Sequence, residues 1–110
     1  MHANNKNTIA ALRIQGEMTI YRAIELKRTL MAPLQEGVIL EANLADVTEI
    51  DTTGLQLLML AKKTAQERGG ELRLVEHSAA VIDVLALLDL ADWFGEPLPL
   101  KASEGMRNAA

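Results

Sequence analysis

Glu49-Ile50-Asp51-Thr52-Thr53-Gly54-Leu55 sets an acid, two hydroxyls and a glycine in a row, between an apolar strand and the most hydrophobic helical stretch of the chain. Oxygens of Asp and Thr accept hydrogen bonds from the free N–H groups of a helix's first turn, so the segment reads first as a helix start. A hydroxyl exposed there can also accept a phosphoryl group. The free N–H groups and the helix dipole favour an anion by about 0.3–1 kcal/mol. A phosphate on Thr52, however, would face Asp51 and Glu49. Like charges roughly 6 Å apart repel by about 3 kcal/mol per unit charge at an effective dielectric near 20. Repulsion outweighs the dipole, so a phosphothreonine here changes the surface that a partner meets. That is the physics of a switch.

Little else in the chain could do chemistry. The only histidines are His2, near the start, and His77, beside an expected helix cap. A Ser-His-Asp arrangement needs a nucleophile activated by a histidine base, and the nucleophile-elbow pattern is missing. Gly54, Gly69 and Gly70 form no dinucleotide or phosphate-binding loop. No histidine and carboxylate share helical metal-ligand spacing. The expectation is therefore no catalytic residue, no metal site, no cofactor and no enzymatic activity. With 11 Lys and Arg against 15 Asp and Glu, the net charge is −4. No basic face for nucleic acid is written in such a chain. The chain contains no cysteine, so it has no disulfide framework or thiolate metal site, and a cytoplasmic address is expected. The polar N-terminus lacks the apolar run of a signal peptide. No apolar run reaches about 18 residues, so no direct membrane insertion is expected.

The elements that must position Thr52 follow from periodicity. The 110 residues suit one domain with an aliphatic core: 49% are hydrophobic but only 3% aromatic. Residues 1–7 read as a flexible leader or edge strand, 8–101 as the domain and 102–110 as a tail. Ala10, Leu12 and Ile14 alternate in a strand that Gly16-Glu17 ends. Thr19 is placed to cap a helix from about Ile20, with Ile20, Ala23, Ile24, Leu30, Met31 and Leu34 as its apolar stripe. Pro33 and Gly37 end that segment. Val38–Leu44 is a strand, apolar on both faces at its start as a central strand is, and Ala45–Ile50 connects it to the site. A helix from Thr53 to about Arg68 carries Leu57, Leu58, Ala61 and Ala65 on its core face. Leu55 and Met59 lie toward Gln56 and Lys63, as either a partner surface or the flank of a wide core stripe. Gly69-Gly70 stops the helix, and Glu71–Val75 is a third strand. Ser78 caps a helix with Val81, Ile82, Leu85 and Leu88 on its apolar face, and Leu90–Gly95 turns the chain. Pro97–Leu100 allows only a short edge strand. Alternating strands and helices predict an α/β fold with a largely parallel sheet.

Leu44-Ala45-Asp46-Val47-Thr48-Glu49-Ile50-Asp51-Thr52-Thr53-Gly54-Leu55 resembles the signature of the STAS domain, best known as the anti-sigma-factor antagonist. The likeness extends through the helix, Gly69-Gly70, Leu72-Arg73-Leu74-Val75 and the helix begun by Ser78. Gly16-Glu17-Met18-Thr19 is similar to the family's earlier Gly-Glu-Leu-Asp turn, and together these cover roughly Thr8 to Leu100. The resemblance implies a STAS-type fold, a four- to five-stranded mixed, mostly parallel sheet flanked by helices, without catalytic activity. It implies that Thr52 accepts phosphate from a partner that is both anti-sigma factor and serine/threonine kinase, and that a phosphatase resets it. The partner-binding surface implied comprises Asp51, Thr52, Thr53, Gln56 and Met59, with Met18 and Thr19 adjacent. The family often has an aspartate where this chain has Thr19, and another where it has Asn43, so two negative charges near the switch are missing. Other branches point to an alternative: a constitutive subunit that binds the ATPase of a phospholipid-transport ABC system, or a chemotaxis-like signalling complex.

Overall fold

The strand Val38–Ile50 (β2) lies between Thr8–Met18 (β1) and Glu71–Val75 (β3), parallel to both. These come from a computed structural model that describes residues 8–94. The expected leader at 1–7, the short strand at 97–100 and the tail at 102–110 lie outside the described residues.

Between the strands run Ala23–Met31 (α1), preceded by a short 3-10 turn at Ile20–Arg22, and Thr52–Glu67 (α2). Ala79–Leu87 (α3) and the single turn Ala91–Phe94 (α4) follow β3. Val38, Leu40, Ala42 and Leu44 are buried, as their alternation predicts. The core cluster gathers Leu40, Ala42 and Leu44 with Leu26 and Leu30 of α1, Leu58 and Ala61 of α2, and Val81 and Leu85 of α3. The other face of the sheet carries charge: Arg73 bridges Glu71 at 2.7 Å and Glu41, its register partner on β2, at 3.7 Å.

Three local expectations are met. Ser78 is the N-cap of α3, its Oγ accepting from the Val81 N–H at 3.3 Å. Helix α1 ends at Met31, two residues before Pro33, where the ring would collide with a helical neighbour. Gly69, at φ 77°, ends α2 in the left-handed conformation that a side chain resists.

Three expectations are corrected. Ala45–Ile50 is strand, not connection. Between Arg13 and Gln15, and again between Gly16 and Glu17, β2 spends one residue more than β1. These two bulges change the spacing of buried positions to Leu44, Val47 and Ile50, three apart. Asn43 supports the first of them, its Oδ1 accepting from the Ala45 N–H at 2.9 Å. Secondly, Ile20 and Ile24 are exposed and lie outside the core; α1 buries Leu26 and Leu30 instead, with Leu34 just beyond it. Thirdly, Thr19 precedes the 3-10 turn without a side-chain capping bond. Phe94 is buried and Trp93 partly exposed, edge-to-face at 4.9 Å, with the Lys62 ammonium 5.6 Å from the indole.

Candidate functional site

The ends of β1 and β2 lie side by side, with Met18 opposite Ile50. Each strand leads directly into a helical turn, so two helix N-termini open at the same edge of the sheet. In parallel α/β sheets this carboxyl end of the strands is where function collects.

Asp51 joins the two starts. It is the N-cap of α2, in the extended conformation a cap requires (φ −110°, ψ −173°), and Oδ1 accepts from the Gly54 N–H at 3.1 Å. Its second oxygen, Oδ2, accepts from the Ile20 N–H at 3.1 Å, supplying the cap that Thr19 does not. The Asp51 N–H donates to the Met18 carbonyl at 3.2 Å. Burial pushes the Asp51 carboxyl's pKa upward, but the N–H groups of Gly54, Ile20 and Thr53 more than reverse this, so it lies below the ordinary aspartate value.

Gly54 lets the two segments approach. A Cβ at this position would lie 2.2 Å from the Met18 carbonyl oxygen. Its absence brings the first turn of α2 against the β1 end, and this contact buries Met18 completely and Thr19 almost so.

Thr52 is the first residue of α2 and is exposed, while Thr53 beside it is half-buried. Gln56, one turn on, is exposed; Met59 is half-buried and packs against the core. Spacings of four and seven place Thr52, Gln56 and Met59 on one side of α2. Leu55 is in the core, so it is core flank rather than partner surface. The structure thus brings Asp51, Thr52, Thr53, Gln56 and Met59 together at one end and one side of α2. Met18 and Thr19 lie next to them but underneath, closed over by α2, and offer no surface.

Glu17 and Glu49 are register partners across β1 and β2, and both are exposed. Like charges placed opposite one another raise the negative potential beside Asp51. Arg22 offsets part of the Glu17 charge through space, though its direct bonds go elsewhere. Its Nη1 donates to the carbonyls of Gln15 and Glu17, each at 2.7 Å, and its Nη2 pairs with Glu25 at 3.1 Å. The guanidinium thereby seals the outer edge of β1 and pins the 3-10 turn.

The exposure of Ile20, Tyr21 and Ile24 was missed from sequence, and of these the Ile20 N–H contacts Asp51. A signal was available: Leu26, Leu30 and Leu34, four apart, already make a complete stripe without Ile20 and Ile24. Among the described residues no group of three or more His, Cys, Asp or Glu could hold a metal ion, and no helix is long and apolar enough to cross a membrane.

Residues 1–105 match the STAS domain family. The chain belongs to the STAS family. The anti-sigma-B factor antagonist of Bacillus subtilis (strain 168) is 33% identical over 91 residues, covering 80% of this chain and 83% of that protein. The anti-sigma-B factor antagonist of Listeria monocytogenes serovar 1/2a is 30% identical over 80 residues, or 72% and 70% of the two chains. Among solved structures, the anti-sigma factor antagonist SpoIIAA in its unphosphorylated form superposes with a TM-score of 0.65 at 18% identity, over 94% of this chain and 91% of that one. The STAS domain of a SulP transporter from Vibrio cholerae gives 0.62 at 22% identity, over 96% and 88%. These two likenesses are of fold: α/β, with a parallel sheet and flanking helices. By family and relatives together, the chain is an anti-sigma factor antagonist-like STAS domain.

Proposed function

We propose that this STAS domain is a non-enzymatic, cytoplasmic regulatory module whose partner binding is gated by phosphorylation of Thr52. The partner is an anti-sigma factor with serine/threonine kinase activity, and a phosphatase restores the unmodified form. The observation that carries the reading is the position of Thr52, exposed at the first residue of α2. Beside it, both carboxylate oxygens of Asp51 are already engaged by backbone N–H groups. A phosphate there meets donors that are taken and the negative charge of Asp51 and Glu49. It cannot settle into the fold without displacing Asp51, so it remains on the surface and repels what the unmodified surface attracts. Thr53, Gln56 and Met59 extend that surface along α2. The relatives named anti-sigma-B factor antagonists support the choice of partner.

The test is calorimetric titration against the purified kinase-type anti-sigma factor of the source organism, with phosphate-affinity gels of protein from native cells. Wild type and Thr52→Ala should bind, Thr52→Glu should not, and the gels should show a modified form that Thr52→Ala abolishes. Equal binding by all three proteins with no modified form in vivo would refute gating. Stoichiometric co-purification with a transporter ATPase or signalling complex, unaffected by phosphatase, would replace it with the constitutive-subunit role.

A further inference from the structure

We propose that the His77 imidazole is a proton-sensitive latch between β3 and α3: neutral, it packs into the fold; protonated, it leaves its seat and loosens the start of α3 from β2. The device does not depend on the regulatory reading of Thr52.

Nε2 of His77 is buried and has no hydrogen-bond partner among the described residues. An imidazolium carries N–H on both ring nitrogens. Protonated in place, His77 would therefore hold at Nε2 a charged donor shut off from protein acceptors and from water, which a fold pays for heavily.

His77 also stands directly before Ser78, the N-cap of α3, where the helix dipole disfavours a cation. No acid in the first turn of α3 compensates; Asp83 lies beyond that turn and is exposed. Glu76 is the charged group that acts on the imidazole, and it favours protonation. Burial outweighs it, so the His77 pKa lies below the ordinary 6.5. Glu76 also acts on Arg13 of β1, which is paired with Asp46 of β2 at 2.6 Å.

The connection is strained where the ring is held. Glu76 sits at φ 55°, in the left-handed region that a side chain resists. Just past His77, the Ser78 N–H donates to the Leu44 carbonyl at 3.2 Å, and the Val81 N–H donates to the Ser78 Oγ at 3.3 Å. Expelling the imidazole pulls directly on both bonds. The open junction protonates near the ordinary value and the closed one lower. Closure is therefore complete above about pH 7 and weakens as pH falls through 6.5 toward the folded value.

The test uses the full chain. His2 and His77 are the only histidines, so His2→Ala leaves one imidazole to follow by NMR. It should titrate below 6.5. Amide-exchange protection at Ser78 and Val81 should fall several-fold between about pH 7.5 and 5.5, with about tenfold as the ceiling one pH unit below the ordinary value. Ala61, inside α2, should keep its protection. Carboxylates stay ionised over that range, so Asp51 takes no part in it. His77→Gln, which cannot gain a charge, should abolish the pH dependence at Ser78 and Val81; if that variant does not fold, the His2→Ala titration and exchange decide alone. An imidazole titrating at or above 6.5, a loss of protection no larger at Ser78 and Val81 than at Ala61, or the same loss in His77→Gln would each overturn the latch.

Discussion

Replacing Gly54 with alanine should destabilise the protein, against the usual direction. In a helix, alanine is preferred to glycine by about 1 kcal/mol. Here the new Cβ would lie 2.2 Å from the Met18 carbonyl oxygen, 2.9 Å from its carbonyl carbon and 2.8 Å from its Cβ. Two of these are backbone atoms and the third begins a fully buried side chain, so none can swing aside. Relief requires α2 to retreat by about 1 Å, to ordinary van der Waals separation. That retreat stretches the Asp51 N–H bond to Met18 and the Ile20 N–H bond to Asp51, now 3.2 and 3.1 Å. Losing both costs about 2 kcal/mol, and repacking around an inserted methyl adds about 1–3 kcal/mol. After the helical gain of alanine, the net loss is about 2–4 kcal/mol. Urea unfolding followed by far-UV circular dichroism measures it: with a slope of about 2 kcal/mol per molar, the midpoint should fall by about 1–2 M. Gln56→Ala, exposed on the same helix, should change stability by less than about 0.5 kcal/mol. A Gly54→Ala midpoint equal to or above wild type would show that α2 does not press on the β1 end, and the account of the site would fail with it.

Two further perturbations probe the same corner. Asp51→Asn keeps one acceptor for a helix start but presents N–H to the other, so about 1 kcal/mol should be lost at neutral pH. The folded pKa of Asp51 lies below its unfolded value, so its contribution is complete above about pH 4 and drains away as pH falls through the folded value. The variant should therefore lose less stability than wild type between about pH 4 and pH 2 in urea titrations; parallel curves would remove Asp51 from the acid response. Arg22→Lys should not substitute for arginine, because a single ammonium cannot reach the Gln15 and Glu17 carbonyls and Glu25 together. A loss of about 1 kcal/mol is expected in thermal melts, with faster amide exchange at Tyr21; unchanged exchange would show that Arg22 does not hold the turn.

What was legible in the sequence was whatever is decided locally. Ser78 announces α3 because its oxygen serves an N–H three residues away, and Gly69 stops α2 through its own backbone angle. The order of elements follows from such signals and from periodicity. The burial of Met18 and Thr19 was not legible, because it depends on a helix that begins more than 30 residues later and on a missing methyl at Gly54. The phase of α1 was misread, with Ile20 and Ile24 placed on the core face. Ile20-Ile24 and Leu26-Leu30 both have helical spacing, and only packing in the core cluster chooses the second pair.

The extent of β2 failed for the reason that makes the site work. Counting from Arg13 opposite Asn43, an unbroken ladder would set Met18 opposite Thr48. The two bulges set it opposite Ile50 instead. At about 3.3 Å per residue, that is a displacement of about 6–7 Å along the strand. Without it, Asp51 would overshoot the end of β1, and its N–H and carboxylate could not meet Met18 and Ile20 at hydrogen-bonding distance. A strand template penalises the steps of three from Leu44 to Val47 to Ile50, yet those steps bring Asp51 between the two helix starts and place Thr52 beside the Ile20 turn. The irregularity therefore belongs to the site: it converts a strand end into a shared cap, and any change made at Thr52 falls next to the exposed surface of the neighbouring element.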